Sequence, residues 1–441
     1  MNALFKTIGT LGLLLVAFPI NLTIVLLSLI IGWFTSLFSQ KKVAKNPKKV
    51  LVTGGKMTKA LQLARCFYQA GHEVHLVETH KYWLSGHRFS NAVKGFYTVD
   101  APEKDPAGYY QGLLNIVQKE NIDIFIPVSS PVASYYDSVA GTLLTSYCEI
   151  MHFEPDTTKM LDDKFELCKQ AQVLGLSAPQ AFLITDPQEI LEFDFEKNQG
   201  KKYLLKSIKY DSVSRLDMTK VPFEGMEKYV KSLPITKDNP WTMQEFIIGK
   251  EYCTHSTVRK GKIRLDCCSE SSHFQVNYEH IDKPEIYTWV ETFVKELNLT
   301  GQISFDFIQS EDGTVYPIEC NPRTHSAITM FYNHPEVANA YLNDGYEAEK
   351  PITPLVDSKP TYWLYHEVWR LTGIRSLSDF QAWIKKITTG TDAIFQFNDP
   401  LPFLMVPHWQ ISLLLLQNLF KFKNWVKIDF NIGKLVEIGG D

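Results

Sequence analysis

Between Phe305 and Arg323 the chain reads "FDFIQSEDGTVYPIECNPR", two alternating apolar stretches around Asp312-Gly313. That dipeptide between such stretches is a strong signal for a tight hairpin. With Asp312 and Gly313 as a two-residue turn, Asp306 stands opposite Glu319, and Ser304 opposite Asn321. Directly opposed side chains have Cβ atoms roughly 4.5–5.5 Å apart, and like charges so placed repel. Something must neutralise the two acids. Asp306, Glu319 and Asn321 are hard oxygen donors on one face, a set that suits Mg²⁺ or Mn²⁺ rather than zinc. Mg²⁺ takes one or two carboxylates and completes its shell with water and substrate phosphate oxygens. Acids each held by a surface lysine or arginine are the plain competitor. Arg323 follows at the hairpin's end, where a guanidinium can clamp a phosphoryl oxygen bidentately. A simple salt bridge is the alternative there, and His325 beyond it could orient a substrate.

Other residues extend the pattern. Lys206 lies inside the apolar strand "KKYLLKSIKY" (201–210), where an unpaired ammonium is costly and a phosphate would satisfy it. Lys164 opens a helix and is less telling, since lysines at such positions are routine. "TMQEFIIGKEY" (242–252) describes a strand that bends over something flat. Gln244 and main-chain groups near Ile247 can read an adenine, with Glu251 accepting from ribose hydroxyls. An edge strand with a bulge at Gly249 is the bland version.

The elements that must hold these groups fall in order. "KKVLVTGG" (48–55), "MTKALQLARCFYQAG" (57–71) and "HEVHLVE" (72–78) form a strand–helix–strand unit, and 113–128 repeats helix then strand. Residues 43–150 therefore form a parallel α/β domain. Its glycines do not make the dinucleotide fingerprint G-x-G-x-x-G, which argues against a nicotinamide enzyme. An amphipathic helix over 162–176 follows, then antiparallel strands linked at Lys260-Gly261, a helix over 285–299, and the opening hairpin. Such a unit after an α/β domain predicts an α+β fold with a cleft between lobes. In the first domain "SGHRFSNAV" (85–93) and Ser129-Ser130 offer donors to an acceptor. Beyond about 335 the chain is Pro-spotted and Trp/Tyr-rich, with no legible chemistry.

Composition narrows the class. The 441 residues allow two or three domains, and a net charge of −4 gives no footprint for nucleic acid. Seven cysteines without a C-x-x-C indicate reduced thiols in a cytosolic setting. From Thr7 to Gln40 no residue is charged, and five lysines come between there and position 49. One helix over that run would be about 51 Å long, against the roughly 30 Å core of a bilayer. Pro19 and Asn21 are expected to break it, leaving 22–38 as a marginal span or part of a re-entrant hairpin, and the lysines favour a cytoplasmic location for the remainder of the chain. The alternative is a helix docked on another apolar surface, such as 401–420.

Taken in order, the "DK" helix, the strand lysine, "QEFIIGKE" and "FDF…IECNPR" resemble the ATP-grasp ligase family over roughly 45–335. The resemblance implies an ATP-grasp fold: a Rossmann-like preceding domain and two α+β lobes clasping ATP, with a hydrophobic helical segment before them. The expected divisions are 1–42 for that segment, 43–150 for the preceding domain, 151–335 for the clasping lobes (the small lobe about 165–250) and 336–441 for an extension on the ligase core. It also implies ATP and Mg²⁺ (or Mn²⁺) as cofactors and roles by position. Lys164 and Lys206 would contact ATP phosphates, Gln244 and the Ile247 backbone adenine, and Glu251 ribose. Asp306, Glu319 and Asn321 would hold the metals, with Arg323 and Lys206 at the transferring phosphate. The family's loop after the strand lysine is usually Gly-rich, whereas here it is the glycine-free "SIKYDSVSR" (207–215), with Ser212 and Ser214 as hydroxyl donors instead. The layout, with "VSSPVASYYDS" (128–138) and "ECNPRTHSAITMFYNHP" (319–335), is similar to the branch that joins glycine to 4-deoxygadusol. Two alternatives stand beside it: a carboxylate–amine ligase of the dipeptide type, and a membrane-tethered nucleotide-binding module without turnover. The implied partners are a small-molecule acceptor and an amino acid, with a membrane touched through 7–40.

Overall fold

The computed structural model describes residues 3–36, 44–129, 131–198, 200–209, 217–271, 277–343, 345–346 and 349–437. The uncharged N-terminal run forms a single helix, α1 (Ala3–Ser36), which continues through Pro19. The expected break does not occur. The Asn21 side chain turns away from its own backbone and donates to the Tyr365 hydroxyl at 2.5 Å, and its Nδ2 lies 2.9 Å from His408 Nε2. Docking along one stripe then outweighs the lost hydrogen bond at Pro19. Thr7, Leu14, Asn21, Val25 and Ser28 form that buried stripe, at helical spacings of seven, four and three, and α1 packs on segments of 401–420. Lys6 Nζ donates to the Val426 carbonyl at 2.6 Å, and the Trp425 indole donates to Thr7 Oγ1 at 2.9 Å.

The parallel domain follows as β1 (Lys49–Val52), α2 (Thr58–Gln69), β2 (Glu73–Thr79), β3 (Gly95–Val99), α3 (Pro106–Glu120), β4 (Ile124–Ile126), α4 (Pro131–Leu144) and β5 (Glu149–Ile150). Its sheet has the order β3-β2-β1-β4-β5, all parallel. Val50, Val52, Leu76 and Ile124 pack with α2, while Leu51, Val77 and Phe125 pack with α3 and α4. Both faces are buried, which explains strands that read as unbroken apolar runs.

Next come α5 (Pro155–Asp162), α6 (Lys164–Val173), β6 (Ala181–Ile184), α7 (Pro187–Leu191), β7 (Tyr203–Ser207), β8 (Lys220–Val221), α8 (Met226–Ser232) and β9 (Trp241–Glu245). The strands make an antiparallel sheet ordered β6-β9-β7-β8. Residues 246–249 then cross to a second sheet. It contains β10 (Lys250–Arg259) and β11 (Lys262–Glu270); past the short β12 (Asn277–Tyr278) and helix α9 (Pro284–Glu296) come β13 (Gly301–Gln309) and β14 (Val315–Asn321). Its order is β11-β10-β13-β14, with the β10–β11 turn at Lys260-Gly261 as expected. Ile303, Phe305 and Phe307 pack on Trp289 and Phe293 of α9. By strand alternation Ser304 and Asp306 present the other face. The chain beyond 336, whose sequence shows no legible chemistry, packs back on the first domain. Arg65 Nε donates to Asp399 Oδ2 at 2.7 Å in a buried ion pair.

Candidate functional site

The hairpin places its polar residues as predicted, by a different route. Asp306 pairs with Glu319, and Ser304 with Asn321. The turn, however, is longer than two residues. Ser310 N–H donates to the Thr314 carbonyl at 2.9 Å, and Gly313, at φ +86°, donates to the Ser310 carbonyl at 3.0 Å. Phe307 therefore pairs with Pro317, and a bulge at Ile318 restores the register at Glu319. Pro317 cannot donate to the ladder, and proline in a strand is tolerated beside a bulge.

Asp306 is 8% exposed, and its Oδ1 has no hydrogen-bond partner among the described residues. Burial, then the charges of Glu319 and Glu251, push its carboxyl up to about 8, against the pull of Arg323 and Lys164. Glu319 is partly exposed and sits 3.5 Å from Lys164 Nζ. The competing reading, acids held by basic side chains, thus describes Glu319 and leaves Asp306 without an ion pair among the described residues. Arg323 stands among Asp162, Glu319 and Asp306, and its Nη1 is likewise buried without a partner among the described residues. Asp162, the last residue of α5, escapes a reading of the sequence because "LDDK" looks like an ordinary helix start. Asp163 does serve as that cap, accepting from Phe165 N–H at 2.8 Å and Glu166 N–H at 3.2 Å.

Lys206 projects from β7, and its Nζ donates to the Asp217 carbonyl at 2.7 Å. Burial first, and the neighbouring Lys164 charge second, lower its pKa. Two lysines from facing elements therefore crowd one region, a geometry suited to an anion between them. Ser212 and Ser214, with residues 210–216 as a whole, lie outside the described residues. Gln244 is buried, and its Nε2 donates to the Ile318 carbonyl at 3.2 Å, tying one sheet to the bulge of the other. Ile247 lies half-buried in the 246–249 crossing. A Cβ at Gly249 would come within 2.1 Å of the Gln309 carbonyl oxygen, so the crossing hugs β13 too closely for any side chain. Glu251 shares the Asp306 face and accepts from Ser271 Oγ at 2.8 Å.

A cavity of 1320 Å³ adjoins this cluster at Asn321 and Arg323. Its far walls are the carboxyl ends of the parallel strands, at Thr53, Glu78 and Ser129, and the C-terminal part around Leu414 and Lys427. The gap between β1 and β4 is where the strand order reverses, the usual ligand position in such sheets. Behind it Asp137 is fully buried, accepting from Tyr109 OH at 2.5 Å, and burial pushes its carboxyl up to about 7. The 85–93 segment does not serve an acceptor as expected. Gly86 N–H donates to Gln410 Oε1 at 2.6 Å and Ser90 Oγ to Asp399 Oδ2 at 2.6 Å, so its donors fasten the first domain to the C-terminal part. Arg88 donates to the Trp83 carbonyl at 2.7 Å.

The donor set fits a magnesium-type ion. It offers two carboxylates and an amide, with the orphaned Asp306 oxygen among them. Among the described residues no three His, Cys, Asp or Glu side chains converge as a closed cage. An ion here would take the rest of its shell from water and phosphate, which is how Mg²⁺ usually binds.

No protein-family model matches the sequence, and no curated protein matches it. Solved structures do match. The biotin carboxylase domain of Hydrogenobacter thermophilus 2-oxoglutarate carboxylase, in complex with MgADP, ADP and bicarbonate, is 14% identical with a TM-score of 0.52, over 69% of this chain and 71% of that one. An L-amino acid ligase from Bacillus licheniformis is 15% identical with a TM-score of 0.47, over 64% and 68%. The Staphylococcus aureus N5-carboxyaminoimidazole synthetase complexed with ADP is 14% identical with a TM-score of 0.48, over 67% and 75%. The first of these likenesses gives the fold: the chain has the ATP-grasp architecture.

Proposed function

We propose that the protein is an ATP-dependent ligase that forms a C–N bond. The observation that carries this is a pair of buried polar atoms without partners among the described residues, Asp306 Oδ1 and Arg323 Nη1, with Arg323 on the wall of the cavity. Lys164 and Lys206 hold the triphosphate; Gln244 and the Ile247 backbone face the base, and Glu251 the ribose. Asp306, Glu319 and Asn321 hold Mg²⁺ or Mn²⁺, which when bound supplies charge neutralisation for the phosphates. The γ-phosphoryl group passes to an acidic oxygen of an acceptor in the cavity, a reaction governed by positioning and charge. Arg323 and Lys206 stabilise the charge spread over the transferring oxygens. An amine then displaces phosphate, leaving ADP, phosphate and the joined product. The specific reading is 4-deoxygadusol as acceptor and glycine as amine, giving mycosporine-glycine through an enol phosphate.

Mass spectrometry after incubation with ATP, Mg²⁺, glycine and a panel of acids and enolones tests this. The expected result is ADP together with the glycine adduct of the enolone. An adduct with a carboxylic acid alone would keep the ligase and replace the acceptor. ATP binding without ADP from any pair would leave a nucleotide-binding module.

We also place the protein at a membrane, with its catalytic part on the cytoplasmic side. The supporting observation is the outer face of α1, where Phe5, Leu13, Leu15, Val16, Ile20 and Trp33 are each more than half exposed. Lysines 41, 42 and 45 come after it, suited to an anionic leaflet, whereas Lys48 pairs with Glu149 and Lys49 donates to the Glu120 carbonyl. Flotation with anionic vesicles should carry the intact chain upward and leave a Leu15→Lys, Ile20→Lys variant behind. Equal flotation of both would remove this reading.

A further inference from the structure

Lys59, the second residue of α2, lies on the wall of the cavity and is 7% exposed. Its Nζ donates to the Thr324 carbonyl at 2.7 Å, next to Arg323. Among the described residues no carboxylate forms an ion pair with it. The contrast is Lys56 nearby, whose Nζ is 3.1 Å from Glu78 Oε1. The charges that act on Lys59 are those of Arg323 and Lys56, both cations, and with burial they hold its pKa well below the usual lysine range. The acids that balance Arg323, namely Asp162, Glu319 and Asp306, are not among the groups that shift Lys59. His325, on the same wall, adds no counter-charge, because burial, Lys59 and Arg323 hold its imidazole neutral with a pKa of about 3. A buried ammonium without a counter-charge is costly, so it is neutralised or met by a ligand. One main-chain carbonyl does not supply a charge.

We infer that Lys59 and Arg323 together form an anion site on the wall of the cavity, which binds the ionised oxygen of the acceptor, a carboxylate or an enolate, beside the transferring phosphate. This deepens the ligase reading and rests on it for the word acceptor; the anion site itself stands on Lys59, Arg323 and the cavity. Its consequence is selectivity. An acceptor whose reacting oxygen is a neutral alcohol leaves Lys59 unmet and binds poorly.

The test uses the full chain with saturating Mg·ADP, so that the lysines of the interlobe cleft are already engaged. Inorganic phosphate is the probe, followed by calorimetry. Wild type should bind it, Lys59→Met should bind at least tenfold more weakly, and Lys59→Arg should keep most of the affinity. The thermal midpoint of Lys59→Met should equal or exceed that of wild type, since an unmet buried charge has been removed. In turnover, Lys59→Met should raise KM for the acceptor at least tenfold, with KM for ATP within about twofold, and Lys59→Arg should restore it. Phosphate binding unchanged in Lys59→Met overturns the anion site. So does a rise in KM for ATP with none for the acceptor. Phosphate binding lost in Lys59→Met, but without ADP from any acceptor, keeps the anion site and removes the ligase.

Discussion

Replacing Asp306 with asparagine should make the empty protein more stable and the enzyme inactive. In the unfolded chain an aspartate ionises near 3.8, whereas in the fold burial, Glu319 and Glu251 push this one up to about 8. A carboxyl raised in this way contributes stability that is fully present below about pH 4 and is lost as pH rises towards 8. At pH 7 the gap is about three units, and at 1.36 kcal/mol per unit the cost is at most about 4 kcal/mol. Part of that burden belongs to Glu319, so about 2 kcal/mol is expected for Asp306 alone. An asparagine side chain fits the same space and carries no charge. Thermal unfolding in a chelator, without nucleotide, should therefore show the Asp306→Asn midpoint above wild type at pH 7–8, with the difference closing by pH 4. ADP formation should fall by about two orders of magnitude, because a ligand to the ion has lost its charge. A variant less stable than wild type at pH 7–8, with turnover intact, would refute both the electrostatics and the role.

Three further outcomes arise from the packing. Gly249→Ala forces a Cβ against the Gln309 carbonyl, so the crossing must move; the thermal midpoint should drop and the dissociation constant for ADP, read by calorimetry, should rise several-fold. Arg65→Met leaves the Asp399 carboxylate buried beside the first domain without its partner, at a cost of about 3–5 kcal/mol in chemical denaturation. His87 and His152 are held neutral by burial, down to about 3 and about 4. Their contribution is present above pH 6.5 and lost as pH falls through those values, so acid unfolding should begin below pH 6 and be shallower in His152→Gln.

The parts of the fold legible in the sequence are those written in local pattern. Apolar strands followed by helical spacing give the parallel domain, and Lys260-Gly261 marks the β10–β11 hairpin. The pairing of Asp306 with Glu319 is legible for an incomplete reason: the turn is longer than two residues, and the bulge at Ile318 restores the register. What sequence does not show is what only distance in the chain creates. Lys59 meets Thr324 across 265 residues, and nothing beside it in sequence separates it from any other lysine. The stretch 85–93 offers donors that the C-terminal part consumes, and that part has no periodic signal to announce a cavity wall. Pro19 suggests a break that does not occur because the partners of Asn21, Tyr365 and His408, lie far along the chain.

Electron paramagnetic resonance of Mn²⁺ titrated into the protein, with and without a non-hydrolysable ATP analogue, reads whether the hairpin acids hold an ion beside the nucleotide. Mn²⁺ should bind tightly only when the nucleotide is present, and Glu319→Gln or Asp306→Asn should abolish this binding while the chain stays folded. Nucleotide bound equally well without the ion, with both variants holding Mn²⁺ as wild type does, would contradict it.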